Sequence, residues 1–183
     1  MPRIYQPGQR IDHYEIIRLL GRGGASCVYL AQDRHGLQQV ILKVPDDDVI
    51  GGMAIFERYK REVEIGNCLN HSAIQRQLNR GEQRSKEFLV LEYLRGRTLR
   101  AAMKEYAPAL LPTSEALRII LHICEALTYV HKQGVIHRDI KPENIMLLEN
   151  GEIKLLDFGI ALVEGERPVS RRGFSSLIGT PDY

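Results

Sequence analysis

Four stretches of this sequence hold side chains that could do chemistry together. His137-Arg138-Asp139-Ile140-Lys141-Pro142-Glu143-Asn144 places two carboxylates, one amide and two cations within eight residues, and Asp157-Phe158-Gly159 begins 13 residues after Asn144. A carboxylate with an amide oxygen suits a hard divalent cation such as Mg²⁺. A further carboxylate could orient a hydroxyl, and cations could offset charge developing on a transferred phosphoryl group. Together these are the demands of phosphoryl transfer to a hydroxyl. Upstream stand a glycine-rich run, Leu20-Gly21-Arg22-Gly23-Gly24-Ala25-Ser26-Cys27-Val28, and a lysine inside an apolar run, Val40-Ile41-Leu42-Lys43-Val44.

Read one at a time, the upstream signals are weak. Glycines let backbone N–H groups approach phosphate oxygens, but the same run could be a plain hairpin turn. A dinucleotide-binding glycine loop would open a helix, whereas this one leads into the strand-like Val28-Tyr29-Leu30-Ala31. Lys43 alone could be a snorkelling surface lysine. A cation held near phosphates needs a carboxylate to fix it, and Glu57, Glu62 and Glu64 all compete for that role, Glu62 standing 19 residues after Lys43.

The elements that must position these residues follow from periodicity. Tyr14–Leu20, Val28–Ala31 and Gln39–Val44 read as short strands of an antiparallel meander. Ile55–Leu69 suits an amphipathic helix, weakened in its second half by Gly66 and Asn67. Ile74–Leu78 and Phe88–Tyr93 read as two further strands, and Leu94–Gly96 as a linker and domain boundary. Thr98–Tyr106 reads as a short helix and Thr113–Gln133 as a long one, capped by Thr113 or Ser114 and stopped by Gly134. That helix is apolar at Leu117, Ile120, Leu121, Cys124 and Leu127, and again at Ile119, Ile123, Ala126 and Val130, so it expects neighbours on two sides. Ile145–Leu148 and Ile153–Leu156 form a hairpin about Glu149-Asn150-Gly151, and the tail from Val163 is polar and aperiodic.

Composition excludes several other classes. The 183 residues are 44% apolar and 26% charged, as in ordinary globular chains. A net charge of +2 is too small for a general polyanion binder, so nucleic acid is not an expected partner. Cys27, Cys68 and Cys124 are odd in number and scattered, which suggests neither a disulfide framework nor a zinc site and points to a reducing cytoplasm. The first ten residues lack the apolar core of a secretory signal, and no apolar stretch within these residues approaches the roughly 20 needed to span a bilayer.

Taken together the motifs resemble the protein kinase family over about Tyr14 to Tyr183, and the wording "GRGGASCVYLAQD", "HRDIKPENIML" and "DFGIA" is most similar to the eukaryotic-like kinases of bacteria. Lys141-Pro142-Glu143 and Gly179-Thr180-Pro181-Asp182-Tyr183 resemble the serine/threonine branch. The resemblance implies an α+β, bilobal kinase-like fold: an extension at 1–13, a small antiparallel β lobe with one helix at 14–93, and a mainly helical large lobe at 94–183 that is incomplete at Tyr183. It further implies ATP and Mg²⁺, or Mn²⁺ in its place, as cofactors, and transfer of the γ-phosphate to Ser or Thr of protein substrates.

By the same resemblance Asp139 is the catalytic base, Lys141 steadies the transferring phosphate, and Asn144 and Asp157 bind metal. Lys43 contacts the α- and β-phosphates with Glu62 as its partner, since Glu62 lies in "FERYKREVEIGNCLNH", similar to the corresponding kinase helix. Gly21 and Gly23 cover the phosphates, Leu20, Arg22 and Gly24 also bind the nucleotide, and Val28, Ile41, Leu91, Glu92, Leu94 and Met146 take the adenine, with Leu91 as gatekeeper. Arg138 is the residue such kinases use to grip a phosphorylated loop, and Ser170, Ser175 and Ser176 lie in that loop, where plain solvation explains any one of them. Self-association for autophosphorylation is an implied partner interaction.

Three positions depart from the family pattern. Ser26 replaces the third glycine, Ile41 stands where alanine is usual above the adenine, and Gly66 stands where a large apolar side chain is usual, stacked toward Phe158 and His137. A loosely held helix is expected, with Gly66→Leu raising basal activity. If the large lobe is incomplete, the isolated residues are expected to be poorly folded or inactive, and the alternative function is a non-catalytic ATP-binding or scaffold module.

Overall fold

The computed structural model describes residues 4–23, 26–46, 53–78, 84–107, 110–159 and 161–163. The chain divides into two compact units, Met1–Val63 with Arg76–Tyr93, and Glu64–Gln75 with Leu94–Tyr183. No helix among the described residues is long and apolar enough to cross a membrane.

The first unit is a five-stranded antiparallel sheet in sequential order: β1 (Arg10–Ile11), β2 (Tyr14–Arg22), β3 (Ser26–Asp33), β4 (Gln39–Pro45) and β5 (Leu89–Glu92). β4 is buried along most of its length, consistent with its place between β3 and β5 and its unbroken Val-Ile-Leu run. Tyr14, Ile16, Tyr29, Leu42, Phe88 and Val90 form the core of this unit, with the Tyr14 and Phe88 rings edge to face at 5.7 Å. Residues ahead of Tyr14, read from sequence as an extension, belong to the same core: Tyr5 and Ile11 are 7% and 2% exposed. Helix α1 (Met53–Cys68) continues through Gly66 and Asn67, which the sequence marks as weak points. Its buried Ile65, and Leu69 just past its end, join the core of the second unit, whose packing offsets the propensity cost.

The strand expected at Ile74–Leu78 is not formed. Ile74 bridges Leu155 in parallel, while Gln77 bridges Leu91 antiparallel. The segment changes partner between these residues, so no continuous ladder can develop.

The second unit is built on helix α3 (Thr113–Lys132), preceded by β6 (Gly96–Thr98) and helix α2 (Leu99–Tyr106). After α3 come β7 (Val135–Ile136), a 3₁₀ turn at Pro142–Asn144, the hairpin β8 (Ile145–Leu148) and β9 (Ile153–Leu155), and β10 (Leu162–Val163). The sheets are β6-β8-β9 and β10-β7, and β6, β7 and β10 are too short to carry a readable period. Gly96 is required where β6 meets β8, since a Cβ there would lie 2.1 Å from the Leu147 carbonyl oxygen.

Thr98 caps α2, accepting the Ala101 N–H at 3.2 Å. Helix α3 lacks the side-chain cap expected from Thr113 or Ser114: Pro112 stands at the cap position, and its carbonyl accepts the Ala116 N–H. Gly134, at φ 70°, ends α3 as expected. Ile119, Ile123 and Val130 face the core with Leu155, Val135 and Ile145, and Ala126 is buried between them along the helix. On the other side Leu117, Ile120 and Leu121 are 56%, 56% and 62% exposed.

Candidate active site

In the first unit, β2 and β3 converge on the glycine-rich turn, which the Gly23 N–H closes by donating to the Ser26 carbonyl at 2.8 Å. Gly21 pairs with Val28 across the hairpin, while Gly24 falls outside the described residues. Lys43 sits in β4 between Val28 of β3 and Leu89 of β5, and its Nζ lies 2.6 Å from Glu62 Oε1. Glu57 and Glu64 are both exposed, so of the three candidate carboxylates Glu62 is the one that reaches Lys43. With side chains only 18% and 12% exposed, this pair is shielded from screening and its geometry is held by a charge-assisted hydrogen bond. Ile41 is buried, Val28, Leu91 and Glu92 are half-buried, and Leu20 is exposed.

In the second unit, the loop from His137 to Asn144 is held in a tight, self-bonded form. Asn144, 7% exposed, donates its side-chain amide to both the backbone oxygen and Oδ2 of Asp139, each at 2.9 Å. Lys141 Nζ lies 2.8 Å from the same Oδ2. The Asn144 amide hydrogens are thus spent on Asp139, which leaves its Oδ1 as the end suited to a hard cation. The Leu156 N–H donates to the Asn144 carbonyl at 2.8 Å, tying this loop to the residue before Asp157. Asp157 Oδ1 accepts the Gly159 N–H at 3.0 Å.

Arg138 and Asp157 both hold left-handed backbone angles, with φ of 68° and 57°. Such conformations cost about 1–3 kcal/mol each in a non-glycine residue and persist where surrounding structure over-determines them. His137 supplies part of that determination. Its ring is 1% exposed, lies 4.7 Å from the Phe158 ring, and is bonded at both nitrogens. Nε2–H donates to the Leu156 carbonyl at 2.9 Å, and Nδ1 accepts the Asp139 N–H at 3.2 Å. Burial holds its pKa below the ordinary histidine value, outweighing the opposing Leu156 hydrogen bond, so the neutral imidazole that these two bonds require is the favoured form.

Residue by residue, the structure brings Lys43 to Glu62 in one unit and Asp139, Lys141 and Asn144 to one another in the other. Met146 is half-buried in β8, paired with Thr98 and Lys154, and Leu94 is buried. Ser170, Ser175, Ser176 and Gly179 to Tyr183 lie outside the described residues. Among the described residues no group of three or more His, Cys, Asp or Glu could hold a metal. The pair Asn144 and Asp157 offers two oxygen ligands, which fits a cation that takes the rest of its shell from phosphate and water. The tether through His137 was missed from sequence, because only its burial and its two backbone partners distinguish it from any histidine beside charged neighbours.

A family model described as protein kinase domain matches residues 14–183. The chain is 36% identical over 182 residues to the probable serine/threonine-protein kinase SCO3848 of Streptomyces coelicolor, covering 97% of this chain and 27% of that protein. It is 35% identical over 181 residues to serine/threonine-protein kinase PknB of Mycolicibacterium smegmatis, covering 97% and 29% respectively. The crystal structure of the Mycobacterium tuberculosis PknI kinase domain matches with a TM-score of 0.73 at 31% identity, over 86% of this chain and 64% of that one. The chain thus spans less than a third of the length of these curated relatives.

Proposed function

This chain belongs to the protein kinase domain family, and on that premise we propose that it transfers the γ-phosphoryl group of ATP to serine or threonine hydroxyls of protein substrates. The observation that carries the proposal is the grouping at Asp139, whose carboxylate is held by Lys141 and by an Asn144 amide turned to leave its oxygen toward a cation. Asp139 orients the attacking hydroxyl and takes its proton as oxygen bonds to the γ-phosphorus and ADP leaves. Lys141 offsets the charge that develops on the transferring group. Lys43, fixed by Glu62, holds the α- and β-phosphates, and the Gly21 to Gly24 turn covers them. Asn144 and Asp157 hold Mg²⁺, or Mn²⁺ in its place, which when bound neutralises phosphate charge. Val28, Ile41, Leu91, Glu92, Leu94 and Met146 take the base, as the family resemblance implies.

Protein substrates, self-phosphorylation in trans and a cytoplasmic location for this domain are part of the same proposal. So is low activity of residues 1–183 expressed alone, supported by the exposed Leu117, Ile120 and Leu121 on α3. The deciding assay incubates the full natural protein with γ-labelled ATP, Mg²⁺ and a mixed protein substrate. Label in phosphoserine or phosphothreonine that disappears in Asp139→Asn supports the reading. ATP binding without transfer, or transfer indifferent to Asp139, overturns it in favour of a nucleotide-binding scaffold.

A further inference from the structure

Residues 4–11 lie ahead of the stretch matched by the family model, yet they are built into the first unit's core. The Gly8 N–H donates to the Ile16 carbonyl and the Ile16 N–H to the Gln9 carbonyl, both at 2.8 Å, and Arg10 and Ile11 pair with Glu15 and Tyr14. Tyr5 is seated edge to face on Tyr29 at 6.0 Å, and the Lys86 ammonium lies 5.2 Å from the centre of its ring. These contacts fasten the segment at both ends.

A run of buried contacts along β3 leads from that anchor toward the glycine-rich turn. The Tyr5 N–H donates to the Tyr29 hydroxyl at 3.2 Å. Tyr29 and Cys27 stand two residues apart on the same buried face of β3, both in the first unit's core. Cys27 Sγ–H points to Asp46 Oδ1 at 3.6 Å, and Asp46 Oδ2 lies 3.9 Å from Arg22 Nη2. Tyr29 is fully buried and Cys27 is 2% exposed, so neither has water as an alternative partner. Burial pushes the Tyr29 hydroxyl up to about 12 and raises the Cys27 thiol, so both stay protonated. Cys27 directly follows Ser26, whose carbonyl closes the turn on the Gly23 N–H.

We infer that residues 4–11 form a strap that sets the glycine-rich turn, with Tyr29 and Cys27 as positioning residues between Tyr5 and the Asp46–Arg22 pair. The strap orders backbone N–H groups before any phosphate arrives, which lowers the ordering cost of binding. The nucleotide arm of the test rests on the kinase reading above; the structural arm does not.

The reporter is the Gly23 amide, followed by hydrogen exchange in the nucleotide-free full protein. Tyr29→Phe keeps the ring but removes the hydroxyl that accepts the Tyr5 N–H, and Tyr5→Ala removes the seated ring. Each is expected to speed Gly23 exchange by about fivefold or more, the factor that goes with one neutral hydrogen bond. Exchange of the Leu155 amide, bonded in the second unit to Ala73, should stay unchanged. Tyr5→Phe, which retains the ring and the backbone donor and loses only the Lys86 Nζ contact to its hydroxyl, should leave Gly23 exchange as in wild type. The KM for ATP should rise with Gly23 exchange while kcat holds. Unchanged Gly23 exchange in Tyr29→Phe overturns the inference, as does equal acceleration at Gly23 and Leu155, and this variant decides the matter if Tyr5→Ala does not fold. Failure of the wild type to bind ATP overturns the kinase reading alone, and Gly23 exchange still decides the strap.

Discussion

Replacing His137 with phenylalanine keeps an aromatic ring against Phe158 and removes both hydrogen bonds of the imidazole. The Leu156 carbonyl and the Asp139 N–H then lose their partner in a site where the native ring is 1% exposed. An unsatisfied buried group costs about 1–3 kcal/mol, so the pair together is worth about 3 kcal/mol, Asp139 being only half-buried. For a chain of this length that corresponds to a fall of about 6–12 °C in melting temperature.

Acidification provides a second reading of the same residue. Burial lowers the pKa of folded His137 below the unfolded value of about 6.5. Between those two values the unfolded chain holds a proton that the folded chain lacks, so stability rises with pH across the window. The contribution is complete above about pH 6.5 and is lost as pH falls through the folded pKa. Phenylalanine has no such linkage, so the gap between wild type and His137→Phe should narrow from pH 8 to pH 5.5. Thermal denaturation followed by circular dichroism at both pH values checks this. A variant that melts within about 2 °C of wild type at pH 8 would refute the reasoning, as would a gap that widens on acidification.

Asp139→Asn should lower phosphoryl transfer by about 10²- to 10⁴-fold while leaving nucleotide affinity in place, measured by label transfer and by titration with a fluorescent nucleotide. Glu62→Gln preserves shape but removes the Glu62 charge from beside a half-buried Lys43; a loss of about 2 kcal/mol, roughly 30-fold in kcat/KM, is expected from steady-state kinetics. A change in melting temperature with unchanged kcat/KM would count against that role. Changing Leu117, Ile120 and Leu121 together to glutamine should reduce light scattering of residues 1–183 and alter stability by less than about 0.5 kcal/mol per site. Marked destabilisation would show that this face is covered.

Much of the fold was legible where sequence distance is short. The β2 to β4 meander, helices α1 to α3 and the β8–β9 hairpin all stand where periodicity and turn residues place them, within a few residues. Departures occur where partners are distant or the element is very short. Ile74 to Leu78 has the apolar content of a strand, but Ile74 is claimed by Leu155 and Gln77 by Leu91. Gly96 to Thr98 has little apolar content, yet it pairs with β8 because the chain returns beside it. Pro112 takes the α3 cap position from two better capping residues, since the approach of the chain sets the first helical angles.

The site divides in the same way. Residue type and local spacing are covalent properties of the chain, so the motif from His137 to Asn144, Asp157 and the glycine-rich turn could be identified letter by letter. Residue type leaves Glu57, Glu62 and Glu64 open and the family resemblance points to Glu62; the rotation of a helix against a strand in the folded first unit is what brings Glu62 to Lys43. The same holds for His137, whose neutral form and two backbone bonds exist because burial removes water as a competitor. It holds as well for Tyr5, which has no motif around it and acquires a place in the core only when Tyr29 comes to meet it. Sequence specified the chemical groups; tertiary structure decided their partners, because desolvation and long-range contact have no counterpart in the linear chain.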